Sequence, residues 1–384
     1  MTLDVAPLTP DLAYIRSQLA LLDHPWTPRD VADVLRSSGM LFSDASLLLT
    51  VDALRRDSVG AGPLTELLEL PGVTDVLVDG PDRVLIDCGF GLERTAVRFE
   101  SDDAVRKLAV RLAASVGRRL DDAMPFVDAR LPSGVRLHAI LSPLADPGTC
   151  ISLRVPADRS FTFAQWVETG SLAPQLAEIL QRVIQSRAAF LVSGGTGSGK
   201  TTLLASLLGL VPADQRLLIV EDSRELNPAH PACVRLESRA ANSEGAGLVA
   251  MTDLVRQALR MRPDRLVVGE IRGAEICDLL MAMNTGHEGG CGTVHANSAS
   301  DILPRLEALA ALGGMSRTAL HAQTASALQL VVHVKRCADR KRRVSEKAIF
   351  EHDSDGLRVQ PAIALDEDFQ PRELVGYRRL VAML

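Results

Sequence analysis

The sequence is poor in aromatic residues, has no clustered cysteines and contains no long apolar run. Phe, Trp and Tyr make up 3% of the chain, which disfavours the stacking platforms that bind single-stranded nucleic acid. The six cysteines are scattered without a CxxC pair, so the sequence predicts reduced thiols and neither a disulfide framework nor a zinc site. No apolar run in the chain approaches the roughly 18–20 residues that a transmembrane helix needs.

The charge balance and the amino end exclude further classes. The formal net charge of −6 argues against a general electrostatic attraction to nucleic acid. The first residues, MTLDVAPLTPDLAYIRSQL, lack the basic segment and following apolar segment of a signal peptide. Apolar residues at 47% and charged residues at 23% are typical of soluble globular proteins. We therefore expect a cytoplasmic protein with two to three domains over 384 residues.

Four segments differ in their local pattern. Residues 1–55 have a partly polar helical pattern and predict a helical N-terminal extension. Residues 56–156 alternate short β-prone runs, such as Leu92–Phe99, with one amphipathic helical run, and predict a compact α+β domain. Residues 157–172 are interpreted as a linker. In residues 173–384, apolar strands alternate with helices, which predicts an α/β domain built on a parallel sheet with helices on both faces.

The strongest signal is the stretch LVSGGTGSGKTTLL (Leu191–Leu204), which fits G-x-x-x-x-G-K-[ST] between an apolar strand and a helical run. Glycines let backbone N–H groups wrap a polyphosphate, and the helix amino end adds its positive dipole. Lys200 is expected to neutralise the β- and γ-phosphates, and the Thr201 hydroxyl is expected to bind Mg²⁺. The predicted nucleotide-binding residues of this loop are Gly194, Gly195, Thr196, Gly197, Ser198, Gly199, Lys200, Thr201 and Thr202.

A second apolar strand lies in RPDRLVVGEIR (Arg262–Arg272) and delivers Glu270 directly after Gly269. Ligands gather at the carboxyl ends of parallel strands, so we expect this strand end beside the end of the strand that enters the phosphate loop. Many phosphate-loop enzymes place an aspartate here to hold Mg²⁺. Because Gly269 precedes the acid, Glu270 is predicted to orient or deprotonate the attacking water at the metal-bound nucleotide. The alternative is a solvated carboxylate at a strand exit.

Two more stretches hold candidate site residues, one at the end of an apolar strand and one among glycines and small polar residues. The run QRLLIVED ends in Glu221 and Asp222, with Glu225 one turn later, and these acids are predicted to position Mg²⁺ ligands and the nucleophilic water. Acids at a strand end are often only solvated, which remains the alternative. In MNTGHEGGCGTVHANSAS, His287 and His295 are predicted to sense the γ-phosphate by hydrogen bonding. Zinc binding with the intervening cysteine and purely structural histidines are the rival interpretations.

Taken together, these stretches resemble the secretion traffic ATPases of type II and type IV secretion systems. The resemblance is greatest to the tight-adherence (Flp) pilus assembly ATPases, the CpaF-like branch. In order, SGGTGSGKTTLL, IVEDSREL, RMRPDRLVVGEIRGAE and MNTGHEGGCGTVHANS are similar to that family's Walker A, Asp box, Walker B and His box. The resemblance extends from about Gly62 to His295, and a glycine before the Walker B glutamate is itself a trait of the family.

The resemblance implies a RecA-like motor domain joined to a smaller PAS-like N-terminal domain. It also implies a homo-hexameric ring that binds ATP and Mg²⁺ and works at the inner face of the cell membrane. Such motors drive pilin extraction and assembly through an inner-membrane platform protein, and no direct contact with nucleic acid is expected.

The resemblance also implies roles for several arginines. Arg136 and Arg154, with Arg130 as a weaker candidate, correspond by position to the N-terminal-domain arginines that reach the nucleotide phosphates. Arg260 and Arg272 flank the Walker B strand and are candidates for the same role across a subunit boundary. A surface salt bridge is the alternative for each of these arginines.

The sequence therefore predicts a Mg²⁺-dependent ATP hydrolase acting as a hexameric motor for pilus or secretion-system assembly. The rivals are a conjugation-type nucleic-acid translocation motor, a small-molecule P-loop kinase and a non-catalytic nucleotide-binding scaffold. The basic stretch VKRCADRKRRV (Val334–Val344) lies between two β-like runs. It is interpreted as a solvated hairpin tip, with a membrane-surface contact as the alternative.

Overall fold

The computed structural model divides the chain into two units, Met1–Ala157 and Asp158–Leu384. The residues it describes are 12–19, 27–38, 42–44, 46–48, 50–51, 60–89, 91–156, 161–239, 241, 245–337, 339, 341–353 and 356–384. The rest of the predicted N-terminal extension lies outside the described residues. Within the described residues, no helix is long and apolar enough to cross a membrane.

The described part of the extension consists mainly of helices α1 (Leu12–Leu19) and α2 (Pro28–Ser37). Helix α2 begins at a proline, whose fixed φ suits the first helical position. The Thr27 backbone N–H donates to the Asp30 carboxylate at 2.7 Å, which satisfies one of the exposed groups at this helix start. Ile15 and Leu35 are buried in a small cluster shared by both helices.

The first unit also contains a six-stranded antiparallel sheet in the order β3-β2-β1-β6-β5-β4. Edge strand β3 is exposed and ends at Arg94, so the strand predicted over Leu92–Phe99 is shorter than expected. The strands and the two helices of this part are β1 (Asp75–Asp79), β2 (Val84–Asp87), β3 (Leu92–Arg94), β4 (Phe126–Arg130), β5 (Arg136–Ile140), β6 (Cys150–Arg154), α3 (Thr65–Leu68) and α4 (Asp102–Ala114).

Helix α4 covers one face of this sheet. The Ser101 side chain accepts a hydrogen bond from the Ala104 backbone N–H, and Asp102 adds negative charge near the positive end of the helix dipole. The apolar stripe that includes Val105 and Leu112 is buried in one core with the alternate residues of the strands. The predicted α+β character of this region is therefore observed.

The second unit is built on a nine-stranded sheet in the order β15-β14-β13-β12-β7-β11-β10-β8-β9. The six strands from β12 to β9 run parallel, as predicted, and β13 to β15 extend the sheet antiparallel. The strands are β7 (Phe190–Gly194), β8 (Leu217–Glu221), β9 (Cys233–Glu237), β10 (Arg265–Ile271), β11 (Cys291–His295), β12 (Leu330–Arg336), β13 (Arg342–Asp353), β14 (Gly356–Leu365) and β15 (Pro371–Glu373).

Helices cover both faces of this sheet, also as predicted. Helices α5, α6, α7 and α12 contribute to one buried cluster, and α8 to α11 contribute to the other. Along β7, Phe190 and Val192 face the first cluster, while Leu191 faces the second. The helices are α5 (Phe163–Glu168), α6 (Pro174–Gln185), α7 (Lys200–Leu208), α8 (Met251–Leu259), α9 (Glu275–Asn284), α10 (Ile302–Leu312), α11 (Arg317–Ala327) and α12 (Tyr377–Met383).

The described part of the segment interpreted as a linker, 157–172, begins at residue 161. It contains α5, whose Thr162 side chain accepts a hydrogen bond from the Gln165 backbone N–H. Phe163 and Trp166 are buried in the core of the second unit. Two large aromatic side chains in that core make the segment part of the second unit, which begins at Asp158.

Candidate functional site: a phosphate-binding loop at the strand ends

The glycine-rich loop joins the fully buried strand β7 to α7, as the sequence predicts. Gly194 has φ +155°, and a Cβ on it would collide with the Val334 carbonyl oxygen and the Ser198 hydroxyl. Gly199 caps α7 with φ +99°, a conformation that side-chain-bearing residues rarely adopt. The glycines at these two positions are therefore required by the backbone path of the loop.

Lys200 is the first residue of α7 and is 7% exposed. Its ammonium group donates to the Gly195 carbonyl at 2.9 Å and lies 3.4 Å from Nδ1 of His295. Burial lowers the pKa of Lys200, and the negative charge of Glu270 opposes that shift. The cation is thus held inside the loop, where an anionic phosphate would restore its preference for the charged form. Thr201 and Thr202 follow in the first turn of α7.

We expected the ends of β7 and β10 to lie directly beside each other. That prediction is wrong, because strand β11 lies between them. His295 at the end of β11 pairs in register with Gly194. Its Nε2 lies 2.5 Å from Oε1 of Glu270. Burial and then the neighbouring Lys200 lower the pKa of His295, while Glu270 raises it. Lys200, His295 and Glu270 therefore form a continuous row, and the histidine joins the predicted cation to the predicted base.

Arg272 extends this row on the other side of Glu270. Its guanidinium donates to Oε2 of Glu270 at 2.5 Å, and this bond raises the Arg272 pKa. The same guanidinium lies 3.8 Å from the carboxylate of Asp222, which also accepts a hydrogen bond from the Ser238 hydroxyl at 2.8 Å. Asp222 is half exposed. It therefore joins the site through Arg272, at the outer end of the row.

Glu221 occupies the space that a side chain at position 269 would fill. A Cβ on Gly269 would collide with Cγ of Glu221 and come within 2.9 Å of its Oε1. That oxygen accepts hydrogen bonds from the backbone N–H groups of Glu225 and Leu226, whereas Oε2 is buried without a partner among the described residues. Burial raises the pKa of Glu221 to about 7. A buried carboxylate thus lies where other phosphate-loop enzymes place the Walker B aspartate.

Two predicted residues do not join this group. His287 lies in the loop that precedes β11, so the five-residue strand separates it from His295, and its ring contacts the Ala282 carbonyl. Arg260 caps the end of α8 before β10 begins. In a parallel sheet these positions lie at the edge opposite the carboxyl ends. Within this chain, both residues are therefore separated from the phosphate loop.

The three predicted arginines of the first unit lie side by side. Arg130 pairs in register with Arg136, and Arg136 pairs with Arg154, on strands β4, β5 and β6. Residues directly opposite each other in antiparallel strands share one face of the sheet. Arg154 also forms an ion pair with Asp75 at 3.1 Å, on the next strand of the row. The first unit therefore presents one cationic row on a sheet face.

Two residues near the loop were not predicted as site residues. Arg342, the first residue of β13, donates through Nε to the Gly197 carbonyl at 3.0 Å. His333 on β12 is buried, and its Nδ1 lies 2.8 Å from the hydroxyl of Ser193, directly before Gly194. Arg342 lies in the basic stretch that the sequence showed. Nothing in the sequence around Arg342 indicates its contact with a loop 145 residues away.

The residues present fit a nucleoside triphosphate with Mg²⁺. Ser198 Oγ and Glu221 Oε2 are buried polar atoms without partners in the described part of the chain, next to a cationic amine and a glycine cradle. Among the same residues, no group of three or more His, Cys, Asp and Glu side chains is placed to hold a metal alone. Mg²⁺ commonly takes one or two protein ligands plus phosphate oxygens and water. Thr201 with Glu221, Asp222 and Glu270 would supply the protein share.

The fold and the glycine-rich loop together are those of a phosphate-loop α/β protein. The chain belongs to the family described as Type II/IV secretion system protein, which matches residues 57–363. A Mycobacterium tuberculosis protein named "Putative conjugal transfer protein" is 51% identical over 316 residues, covering 81% of this chain and 90% of that protein. The type IV secretion system protein VirB11 of Brucella suis is 32% identical over 270 residues, covering 64% of this chain and 74% of the relative.

Solved structures share the fold. The ATPase DotB of Legionella pneumophila superposes with a TM-score of 0.53 at 21% identity, covering 76% of this chain and 80% of that chain. The pilus retraction motor PilT, solved with bound ADP, superposes with a TM-score of 0.52 at 20% identity over 78% of this chain and 80% of that chain. This chain therefore shares its mixed α/β architecture with the ATPase DotB and the pilus retraction motor PilT.

Proposed function

We propose that the protein is a Mg²⁺-dependent ATP hydrolase that acts as a motor of a pilus or secretion machine. The observation that carries this proposal is the unbroken row from Lys200 through His295 to Glu270 at the carboxyl ends of β7, β11 and β10. A cation, a γ-phosphate sensor and a base are the groups that phosphoryl transfer to water requires. The residues are arranged around one glycine-rich loop, which fits a single bound triphosphate.

In this proposal each side chain has one task. Backbone N–H groups of residues 194–202 hold the β- and γ-phosphates, and Lys200 neutralises their charge. Mg²⁺, held by Thr201 with Glu221, Asp222 and Glu270, would neutralise phosphate charge and so lower the repulsion of an incoming oxygen. Glu270 takes a proton from water as the water oxygen bonds to the γ-phosphorus and the bond to the β-phosphate oxygen breaks, which releases ADP. His295 and Arg272 both contact Glu270 and are attracted to the γ-phosphate, so phosphate binding frees the base.

Glu221 and the first-unit arginines complete the proposed assignment. Glu221, with Asp222, orients water around the metal from the place that Gly269 leaves open. The row of Arg130, Arg136 and Arg154 supplies cations that would stabilise charge on the transferred phosphoryl group when they approach the nucleotide. Arg130 is the weaker candidate of the three for this role.

We further propose that the motor is a homo-hexamer with a RecA-like ATPase domain and a PAS-like N-terminal domain. In this proposal it works at the cytoplasmic face of the membrane, attached through an inner-membrane platform protein, and powers Flp-type or related type II/IV assembly. Membership of the type II/IV secretion family and the shared fold with a pilus motor support this assignment. The family resemblance of the Walker A, Asp, Walker B and His boxes points in the same direction.

Steady-state phosphate release tests the catalytic assignment. Lys200→Ala and Glu270→Gln are expected to lower the turnover at least about 100-fold, because each removes a group that acts on the transition state. Glu288→Gln is the matched control, since Glu288 is exposed in the loop before β11, at the opposite edge of the sheet. Equal rates in all four proteins would contradict the assignment. A phosphorylated acceptor in place of free phosphate would identify a kinase.

A second candidate is a conjugation motor that moves nucleic acid. The relative that is 51% identical carries a name that assigns it to conjugal transfer, and a Rhizobium radiobacter relative at 32% identity is the conjugal transfer protein TrbB. This candidate predicts ATP hydrolysis that single-stranded DNA stimulates and that salt suppresses steeply. A rate that DNA leaves unchanged would favour pilus or protein-secretion work.

A further inference from the structure

The hairpin formed by β12 and β13 contacts the phosphate loop at three of the loop's glycines. A Cβ on Gly194 would collide with the backbone oxygen of Val334 on β12. The Gly197 carbonyl accepts a hydrogen bond from Nε of Arg342 at 3.0 Å. A Cβ on Gly199 would lie 3.2 Å from Cδ of the same arginine. The loop is therefore in contact with the hairpin at three positions along its length.

The two adjacent arginines at the start of β13 have different surroundings. Arg343 is nearly buried, forms hydrogen bonds of 2.7 and 2.8 Å to the Asp339 carboxylate and stacks 3.9 Å from the ring of Phe369. Those contacts hold the end of the hairpin itself. Arg342, one residue earlier, reaches across to the loop with its stem against Gly199. Arg343 therefore contacts Asp339 and Phe369, whereas Arg342 contacts the phosphate loop.

We propose that Arg342 is a positioning residue of the nucleotide site, holding the phosphate loop in its triphosphate-binding conformation through its Nε–H donor. The inference rests on the proposed function, because it assumes that the loop binds a triphosphate. Glycines allow a loop many backbone conformations. An external hydrogen bond that selects one of them raises the fraction of molecules ready to bind, and the apparent Kd rises in inverse proportion when that fraction falls.

This role predicts an effect on affinity with little effect on chemistry. Arg342 contacts the loop backbone, whereas Glu270 and His295 are held by Lys200 and Arg272. Loss of the Nε–H donor is therefore expected to raise the Kd and the KM for ATP and to leave kcat within about twofold. A residue that only supports the hairpin would lower the melting temperature and would not separate KM from kcat.

Three substitutions separate the hydrogen bond from the charge. Arg342→Gln places an amide N–H at the same bond distance from Cα as Nε, without the charge. Arg342→Lys keeps the charge but puts a methylene at that position, and Arg342→Met keeps the stem with neither donor nor charge. Lys341→Ala removes an exposed cation one residue away and serves as the control.

Titration of each full-length protein with ATPγS, together with KM and kcat from phosphate release, gives the test. The Met and Lys variants are expected to bind about tenfold more weakly, and the Gln variant and Lys341→Ala are expected to stay within about threefold of wild type. If the Lys variant binds as wild type while Gln does not, charge and not the hydrogen bond matters, and the proposal is overturned. Equal binding by all variants also overturns it.

One further result separates this inference from the proposed function. If the wild-type protein itself binds no ATPγS, the nucleotide site fails, and the role of Arg342 fails with it. If wild type binds ATPγS and Lys200→Ala does not, the nucleotide site stands, and the Arg342 variants then decide this inference alone.

Discussion

At the scale of single residues, the absent side chain of Gly269 determines where the acids of the site lie. Glu221 fills the space beside Gly269, and its Oε1 is fixed by two backbone N–H groups. Although glycine stands where many phosphate-loop enzymes have an aspartate, the site therefore still has a second carboxylate, that of Glu221. The acid is supplied by the neighbouring strand β8.

Gly269→Ala tests this arrangement. The added methyl group would collide with Glu221, so we expect a destabilisation of about 1–3 kcal/mol and a loss of hydrolysis as the carboxylate is displaced. The measurement is a double-substitution cycle of melting temperature over wild type, Gly269→Ala, Glu221→Ala and the pair. If Glu221 is the obstacle, Gly269→Ala costs little once Glu221 is alanine. An unchanged cost in that background would place the clash elsewhere.

Single residues also show which parts of the site the sequence could predict. Lys200 and Glu270 are predictable because a local motif and the rule that parallel strands collect ligands at their carboxyl ends suffice to place them. His287 and His295 lie in one glycine-rich stretch, and only the position of β11 between them distinguishes their places. The contact of Arg342 is long-range and leaves no mark in its own neighbourhood.

At the scale of elements, the order of the strands in the sheet could not be predicted from the sequence. Strand β11 (CGTVH) lacks the apolar run that marks β7 and β10, so nothing local shows that it lies between the other two. The alternation of strands and helices predicts the parallel part of the sheet. The antiparallel strands β13 to β15 follow no such alternation. In the sequence, the hairpin of β12 and β13 was indicated only by a basic stretch between two β-like runs.

Strand β13 also holds a buried cation with a consequence for stability. Lys347 is fully buried, its ammonium donates to the Leu176 carbonyl of α6 at 2.5 Å, and burial lowers its pKa well below 10.5. The unfolded chain keeps this proton up to about pH 10.5, whereas the folded chain disfavours it. The unfavourable contribution of the Lys347 charge to the free energy of folding is therefore largest below the folded pKa. Stability rises as the pH increases from there towards the unfolded pKa.

Lys347→Met removes that cost while keeping most of the stem. We expect a stabilisation of about 1–4 kcal/mol at neutral pH, with a gain that shrinks as pH approaches 10. Melting temperatures of both proteins between pH 7 and pH 10 give the measurement. Lys335→Met, on the exposed end of β12, should show no such trend. A gain independent of pH, or a loss of stability, would contradict the burial argument.

At the scale of the whole molecule, the chain combines two units with separate cores. The first presents a cationic row on a small antiparallel sheet, and the second presents the phosphate loop at the edge of a large mixed sheet. The family model that matches residues 57–363 spans parts of both units.

An electron-microscopy structure of the Glu270→Gln protein with ATP and Mg²⁺ tests the central claim most directly, because this variant should bind ATP without hydrolysing it. The account predicts a ring of six subunits with the triphosphate in the glycine-rich loop. Lys200 should contact its β- and γ-phosphates, and His295 and the substituted side chain at position 270 should lie beside the γ-phosphate. Nucleotide density elsewhere, or Lys200 and residue 270 on opposite sides of the bound nucleotide and out of its reach, would contradict it.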